Sequence, residues 1–337
     1  MSANTYQKLA TIVDTHTIDE LGLVFGLPDA NDLPPYSQQF YPLIFVESKL
    51  GLPLQHLHDL IREADQAMHE ANDAKAVEQS SRIMIALKPE NYTAMNIRKQ
   101  LVESGKVTLK DELQWINLVF TVQKHCKSNV AWHHRQWLFM RPGAKNEIDL
   151  DHELQLCART ATLHPRNYYA WNYRRWLLES HMTTQLLRER EYKETQIWVE
   201  KNVSDHSGVH HLACVIKAIS QDPYFDGHKH LSWIDGLITQ FPGHEALWSH
   251  LRFCCSTFAV STLGHEVVEI VIQKTVAISE EESEKKLQLQ LALCFGIWLC
   301  IWEKRHRSNN SLSAERQHKA YTARLHELTP IPKYIKV

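Results

Sequence analysis

Apolar and polar positions follow one another along most of this chain with the spacing of amphipathic helices. The segments that place an apolar residue every three or four positions are 111–125, 150–164, 188–201, 231–241, 264–280, 284–307 and 315–328. The longest apolar run, LALCFGIWLCIW at 291–302, has twelve residues. A membrane-spanning helix needs roughly 20. We therefore predict that this run is part of a buried helix and that the chain is helical.

The first 45 residues have a different pattern. The stretch TYQKLATIVDTHTIDELGLVF predicts a helix and a short extended piece, and four prolines between positions 28 and 42 then disfavour regular structure. We predict that residues 1–45 form an irregular N-terminal arm. Residues 46–328 are then predicted to form a single helical-repeat domain, with the repeats themselves at about 75–305.

An aromatic, arginine-containing phrase recurs through the middle of the chain. Its anchor positions follow one another at intervals of 37, 39, 38 and 39 residues, and they are Met95, Trp132, Trp171, Val209 and Trp248. A period this regular indicates a repeat architecture. Because no Gly-rich loop or alternation of strands and turns accompanies it, the predicted fold class is all-α, an α-α superhelix or solenoid of stacked helical hairpins.

Each phrase is predicted to open a helix. Four residues before the first four anchors stand Asn91, Ser128, Asn167 and Asp205, whose side chains are among the best acceptors for the free N–H groups of a first turn. His244 takes this place in the fifth phrase and is a weaker candidate. The same helices carry tryptophan and arginine one turn apart, as in AWHHRQW and AWNYRRW.

Charge and cysteine usage narrow the classes of function. Lysine and arginine total 37 against 39 acidic residues, so a helical repeat that binds RNA through a basic face is disfavoured. The seven cysteines are odd in number and contain no Cys-x-x-Cys pair, and no signal pattern starts the sequence, which favours a reducing, cytoplasmic setting. The pairs His133-His134 and His210-His211 are adjacent on a helix and therefore diverge, so no metal site is predicted.

The phrase Pro-x-Asn-Tyr-x-Ala-Trp-x-x-Arg-Arg-Trp resembles the repeat of protein prenyltransferase α-subunits. The stretches IDELGLVFGLP and LIFVESKLGLPLQHL narrow the resemblance to the α-type subunits of type III geranylgeranyltransferases. The resemblance implies a crescent of helical hairpins around a β-subunit that holds the catalytic zinc and geranylgeranyl diphosphate, with neither cofactor in this chain. It also implies a Rab geranylgeranyltransferase β-subunit as partner and a cysteine on a SNARE protein, already farnesylated at a neighbouring cysteine, as substrate.

The resemblance also carries over individual positions. Lys127 matches the family's lysine that reaches the isoprenoid diphosphate, where a positive charge stabilises the leaving group. Arg166 stands at the same place in the next phrase and is a candidate second cation. The match is incomplete, because Asn129 replaces the family's tyrosine and Tyr169 replaces its histidine.

The remaining candidate residues have competing explanations. Four residues at helix starts are predicted at the partner interface: Tyr92, Asn129, Asn167 and Tyr168. The repeated tryptophans are predicted to pack in the core. The arginines beside them are predicted to pair with carboxylates of the adjacent helix. Two functions stay open. The chain is either an α-type subunit that is inactive alone and completes a geranylgeranyltransferase site, or a non-catalytic helical-repeat scaffold or adaptor.

Overall fold

The computed structural model describes residues 4–141, 144, 148–220, 225–274, 283–306 and 311–328. The chain divides into two compact units, Met1–Leu177 and Leu178–Val337. This division falls within the region that was predicted to be a single domain. The last residues of the predicted helices 264–280 and 284–307 lie outside the described residues.

The first unit contains a small sheet and most of nine helices. The helices are α1 (Thr5–Thr15), α2 (Pro35–Gln38), α3 (Leu57–Glu70), α4 (Ala74–Leu87), α5 (Tyr92–Glu103), α6 (Leu109–Val119), α7 (Asn129–Phe139), α8 (Leu150–Leu163) and α9 (Tyr168–Ser180), and the strands are β1 (Glu20–Val24), β2 (Ile44–Val46) and β3 (Lys49–Pro53). The last three residues of α9 belong to the second unit. A 3₁₀ helix, Gln123–Lys127, precedes α7.

The rest of the second unit, in its described part, is helical. Its helices are α10 (Gln185–Lys201), α11 (His206–Ile219), α12 (Gly227–Gln240), α13 (Glu245–Phe258), α14 (Thr262–Lys274), α15 (Ser283–His306) and α16 (Ser311–Leu328). No helix in the described ranges is long and apolar enough to cross a membrane. The predicted run at 291–302 lies in α15 and buries Leu293, Phe295 and Leu299.

The five phrase helices α5, α7, α9, α11 and α13 begin one residue after the predicted cap positions. The cap side chains of Asn91, Ser128 and Asn167 accept hydrogen bonds from the N–H groups of Ala94, Ala131 and Ala170 at 2.9, 3.1 and 3.3 Å. Asp205 accepts from the first turn of α11 in the same way, and His244 makes no side-chain cap bond. The predicted helix starts are therefore confirmed.

The N-terminal segment is more regular than the predicted arm. β1 and β3 pair in parallel and β2 pairs with β3 in the antiparallel sense, giving the strand order β1-β3-β2. Leu21, Leu50 and Leu52 are buried in this sheet. The prolines therefore do not prevent pairing, because strands distant in sequence satisfy one another's backbone groups. The two stretches that narrowed the resemblance contain β1 and β3, which are neighbours.

The helix predicted over 111–125 ends early, since α6 stops at Val119. Shortly after this end, the Thr121 hydroxyl accepts a hydrogen bond from the backbone N–H of Leu21 at 2.8 Å. It also donates to the carbonyl of Leu118 at 2.6 Å. Thr121 thus ties the end of α6 to β1, and the chain turns into the 3₁₀ helix instead of continuing.

The repeat anchors form the core. Only 2–5% of the surface of each anchor residue is exposed to solvent; the five are Met95, Trp132, Trp171, Val209 and Trp248. The ring of Trp132 contacts Phe120 and Tyr173, with centroids 4.3 and 5.1 Å apart. The prediction that these tryptophans pack in the core is confirmed, and each buries a large apolar area.

Candidate functional site

The turns that lead into α7 and α9 are joined through one backbone carbonyl. The oxygen of Cys126 accepts a hydrogen bond from Trp132 Nε1 and another from Asn167 Nδ2, both at 2.8 Å. A second tie runs from Gln123 Nε2 to the carbonyl of Leu163, also at 2.8 Å. Because Lys127 follows Cys126 and Arg166 precedes Asn167, the two candidate cations stand on neighbouring turns.

Lys127 and Arg166 are both exposed. Neither forms an ion pair or hydrogen bond with any residue within the described ranges. His125, buried beneath Lys127, remains neutral, because burial and the neighbouring charge of Lys124 lower its pKa to about 4. The surface at these turns therefore carries lysine and arginine charges that no carboxylate of the described chain offsets, which suits an anion.

Arg166 adopts an unusual backbone conformation. Its φ is +59°, in the left-handed region that costs a residue with a side chain roughly 1–2 kcal/mol. At the same place in the fifth phrase, one residue before the cap, Gly243 has a φ of +79° without that cost. An arginine retained where glycine is less costly is consistent with a use for its side chain at the surface.

Asn167 was predicted at the partner interface; it is buried within this chain, and its contact with a partner remains a prediction. The side chain is fully buried. Its hydrogen bond to the carbonyl of Cys126 joins the two turns, whereas the one that it accepts from the N–H of Ala170 caps α9. Tyr168 is exposed and Tyr169 half-buried, and their rings form an edge contact with centroids 5.5 Å apart.

Tyr92 and Asn129, two other predicted interface residues, come together in a small groove. Its remaining lining is Met95, Asn96, Lys99, Val130, His133 and His134, and its volume is about 160 Å³. Tyr92 is 66% exposed. The groove lies between the first turns of α5 and α7, so the phrase helices do present these two residues at the surface. Contact with a partner remains a prediction.

Buried ion pairs connect the phrase helices to the helices between them. Arg135, three residues after Trp132, donates through Nε and Nη2 to both carboxylate oxygens of Glu153 in α8, at 2.7 and 2.6 Å. Arg98 donates through the same two nitrogens to a single oxygen, Oε2, of Glu112 in α6. The prediction that these arginines pair with a carboxylate of the adjacent helix is confirmed for Arg135. The Arg135 guanidinium lies over the ring of Phe139, and that of Arg174 lies over the ring of Trp171.

In the second, third and fourth phrases, the residue one position before the place of the arginine contacts a carboxylate of the same kind. His134 Nε2 lies 2.8 Å from Glu112, the Tyr173 hydroxyl donates to Glu153 at 2.7 Å, and His211 Nε2 lies 2.6 Å from Glu191. Sequence reasoning missed this network because the carboxylates belong to helices that lack the phrase. The spacing of the carboxylates could have indicated them, since Glu153 follows Glu112 by 41 residues and Glu191 follows Glu153 by 38, close to the period of the phrases.

The repeats also match a family model. Residues 109–142, 150–181 and 228–258 match the protein prenyltransferase alpha subunit repeat. This chain carries protein prenyltransferase alpha subunit repeats. The matched segments begin near the helices between the phrases and continue through α7, α9 and α13. Each matched unit is therefore a helix between the phrases followed by a phrase helix, and the Arg135–Glu153 ion pair links one unit to the next.

Whole-chain similarities agree with the repeat match. The chain is 28% identical over 298 residues to protein prenyltransferase alpha subunit repeat-containing protein 1 of Danio rerio, covering 70% of this chain and 67% of the relative. Identity to the Homo sapiens protein of that name is 24% over 300 residues, covering 70% and 72%. Geranylgeranyl transferase type-2 subunit alpha of Rattus norvegicus is 25% identical over 177 residues, or 49% of this chain and 30% of the relative.

A solved structure shows the same fold at lower sequence identity. A chain of Candida albicans protein geranylgeranyltransferase-I complexed with GGPP matches with a TM-score of 0.55 and 16% identity, covering 81% of this chain and 89% of that chain. The predicted all-α superhelix of helical hairpins is thereby confirmed. The arrangement of the helices is thus similar to that of a geranylgeranyltransferase-I chain.

Proposed function

We propose that this chain is the alpha-type subunit of a heterodimeric protein geranylgeranyltransferase and is inactive alone. Its partner is a Rab geranylgeranyltransferase β-subunit, which carries the zinc and the geranylgeranyl diphosphate. The substrate is a protein cysteine, including one on a SNARE protein that is already farnesylated. The relatives named as geranylgeranyl transferase type-2 subunit alpha support this class of reaction and this type of partner.

The proposal rests on two positively charged side chains at the joined turns that have no acidic partner among the described residues. Lys127 and Arg166 stand on turns tied together by Asn167, with no described carboxylate to neutralise them. A diphosphate leaving group gains negative charge as the bond to the isoprenoid carbon breaks, and a preorganised cation stabilises that charge. The chain would thus add charge to a site whose pocket and metal belong to the partner.

The exposed aromatic side chains at the same helix starts suit the partner interface. Tyr92 and Tyr168 are 66% and 61% exposed. Tyrosine is enriched at protein interfaces because it buries a large apolar ring and keeps a polar hydroxyl. We place Tyr92, Asn129 and Tyr168 against the β-subunit, and Tyr169 close to the diphosphate beside Arg166.

The experiment is co-expression with a Rab geranylgeranyltransferase β-subunit, followed by transfer of labelled geranylgeranyl to a farnesylated SNARE. We expect a stable complex, and a turnover number that falls about 10-fold or more when Lys127 is replaced by alanine, since one such electrostatic contact is worth ~1.4 kcal/mol or more. Lys124→Ala is the matched control, because Lys124 is exposed on the same 3₁₀ helix. It should leave turnover unchanged.

A scaffold without a catalytic contribution is the second candidate. It is favoured by Asn129 and Tyr169, which stand where the resembled subunits carry tyrosine and histidine. A complex that forms normally and keeps full turnover in the Lys127→Ala, Arg166→Ala double variant would support the scaffold. Failure to form any complex, under conditions in which a type-2 alpha-subunit pairs, would contradict both the enzyme assignment and the proposed partner.

A further inference from the structure

Two histidines and a cysteine meet inside the second unit. His230 of α12 and His250 and Cys254 of α13 are all buried, and their ligand atoms all lie within 4.8 Å of one another. Among the described residues this is the group with the geometry of a metal site. Its members were not predicted from the sequence, although His250 and Cys254 are four residues apart and so share one helix face.

The three side chains occupy the place of a buried ion pair. In the repeat, His230 follows Glu191 by 39 residues and takes the position of the carboxylates Glu112, Glu153 and Glu191. Leu212 replaces the arginine that would pair with it. Neither the carboxylate nor the arginine of the ion pair is present at this place, and two imidazoles and a thiol lie there instead.

The hydrogen bonds of the cluster leave one nitrogen without a partner. Nε2 of His230 lies 2.8 Å from Nε2 of His250, and the Tyr192 hydroxyl lies 2.7 Å from Nδ1 of His230. Nδ1 of His250 is buried and finds no partner in the described part of the chain. A buried polar atom without a hydrogen-bond partner is destabilising. A metal ion held by the two Nε2 atoms does not change this, so it is the close placement of the three donor atoms that points to a metal.

We propose that His230, His250 and Cys254 bind a thiophilic metal ion, Zn²⁺ or Cu⁺. Imidazole nitrogen and thiolate sulfur are the ligands that both ions take in proteins. Tyr192 holds the ring of His230 as a second-shell partner does: its oxygen accepts from Nδ1–H and leaves the lone pair of Nε2 to the metal.

Metal binding requires a small movement of the two histidine rings and the loss of one proton. Two nitrogens on a tetrahedral zinc ion are about 3.3 Å apart, so the rings must separate by ~0.5 Å from their present 2.8 Å. The ion displaces the thiol proton of Cys254, which leaves to solvent. Zn²⁺ then leaves one net positive charge, whereas Cu⁺ leaves none, and a dry interior favours the neutral complex.

A groove beside the cluster gives the ion a route. It is lined by Tyr192, Phe225, Lys229 and Trp233 among others and has a volume of about 770 Å³. Tyr192 lines this groove and also bonds His230, so a rotation of its ring opens the path from the groove to the ligands.

The test uses the purified full chain, stripped with a chelator and then titrated with Co²⁺, Zn²⁺, or Cu⁺ under reducing, oxygen-free conditions. We expect one ion per chain, a thiolate-to-cobalt charge-transfer band, and a melting temperature that rises with Zn²⁺ or Cu⁺. Competition between the two ions identifies which one the site prefers. Binding of neither ion at one per chain would overturn the proposal.

The adjacent cysteine supplies a matched control. Cys255 is as buried as Cys254 but does not belong to the cluster. Cys254→Ser should abolish the charge-transfer band and the rise in melting temperature, whereas Cys255→Ser should keep both. Equal loss in the two variants would contradict the assignment. If Cys254→Ser does not fold, metal content per chain in His230→Gln and Cys255→Ser decides the question in the same way.

Discussion

Two kinds of layer link the helices of this repeat protein. In the carboxylate layers, around Glu112, Glu153 and Glu191, a buried carboxylate meets a phrase residue at hydrogen-bond distance. In the histidine layer, around His230, the partner is His250 and the arginine position holds Leu212. The same place in the helix pair thus carries a charged network in one region and a neutral one in another.

The difference shows that both members of a buried ion pair in this fold are replaced together by neutral residues. A carboxylate left without its arginine would stay buried and unpaired, which is strongly destabilising. When the arginine becomes Leu212, the carboxylate becomes His230, and no charge is left uncompensated. The frame of the repeat therefore depends on a satisfied contact at this position and not on the charge itself.

The largest expected effect comes from breaking one carboxylate layer. Arg135→Leu places in this repeat the residue found at 212 and leaves Glu153 buried without its guanidinium. We expect a loss of about 3–5 kcal/mol in the free energy of unfolding, since removing one partner of a buried pair costs this much. Urea unfolding at pH 7 measures it.

A double variant then tests the exchange itself. Arg135→Leu combined with Glu153→His copies the Leu212 and His230 pair, and Tyr173 can still donate to the new imidazole. We expect at least half of the lost stability to return. If the double variant is as unstable as the single one, the repeats are not interchangeable at this position and the comparison between the two kinds of layer fails.

A pH experiment separates the carboxylate layers from the histidine layer. Burial by itself raises the pKa of Glu112, but the hydrogen bond from His134 and the charge of Arg98 outweigh it and lower the pKa from 4.5 to about 2. A lowered folded pKa stabilises the protein above the unfolded value, and that contribution is lost as the pH falls from about 4.5 to 2.

Glu112→Gln is the variant for this test. Relative to the parent chain it should lose about 3 kcal/mol at pH 6, and the difference should shrink steadily below pH 4.5. Unfolding followed by circular dichroism at a series of pH values gives the comparison. A difference that does not change between pH 5 and pH 3 would show that the charge of Glu112 is not what stabilises this layer.

The sequence predicted the helical frame well because caps and anchors are local signals. Asn91, Ser128 and Asn167 act within three residues of their own position, and the spacing of Trp132 and Trp171 reports a repeat directly. The layers could not be predicted in this way. Glu112 and His134 are 22 residues apart, and the sequence around each of them does not indicate that the other is its hydrogen-bond partner.

The candidate site was predicted in part for the same reason. Lys127 and Arg166 were found by their place in the phrase, and the structure shows them on joined turns. The burial of Asn167 was not predicted, because its phrase shows only a cap residue, and only the fold shows that its amide reaches Cys126, 41 residues away. The extended piece that forms β1 was predicted, but its pairing with β3 was not, because β3 is distant in sequence.

The smallest predicted effect compares two caps of the same residue type. Asn91 accepts one hydrogen bond at the start of α5, whereas Asn167 accepts one at the start of α9 and also donates to the carbonyl of Cys126. Asn91→Ala should therefore cost about 1 kcal/mol in unfolding free energy, and Asn167→Ala about 2 kcal/mol, because the second variant also loses the bond between the turns. Thermal unfolding of the two variants side by side measures this. The contrast extends to the proposed function. Asn167→Ala should loosen the turn that carries Arg166 from the turn that carries Lys127 and lower turnover in the complex, while Asn91→Ala should not. Equal turnover in the two variants would mean that the joined turns position nothing for the reaction.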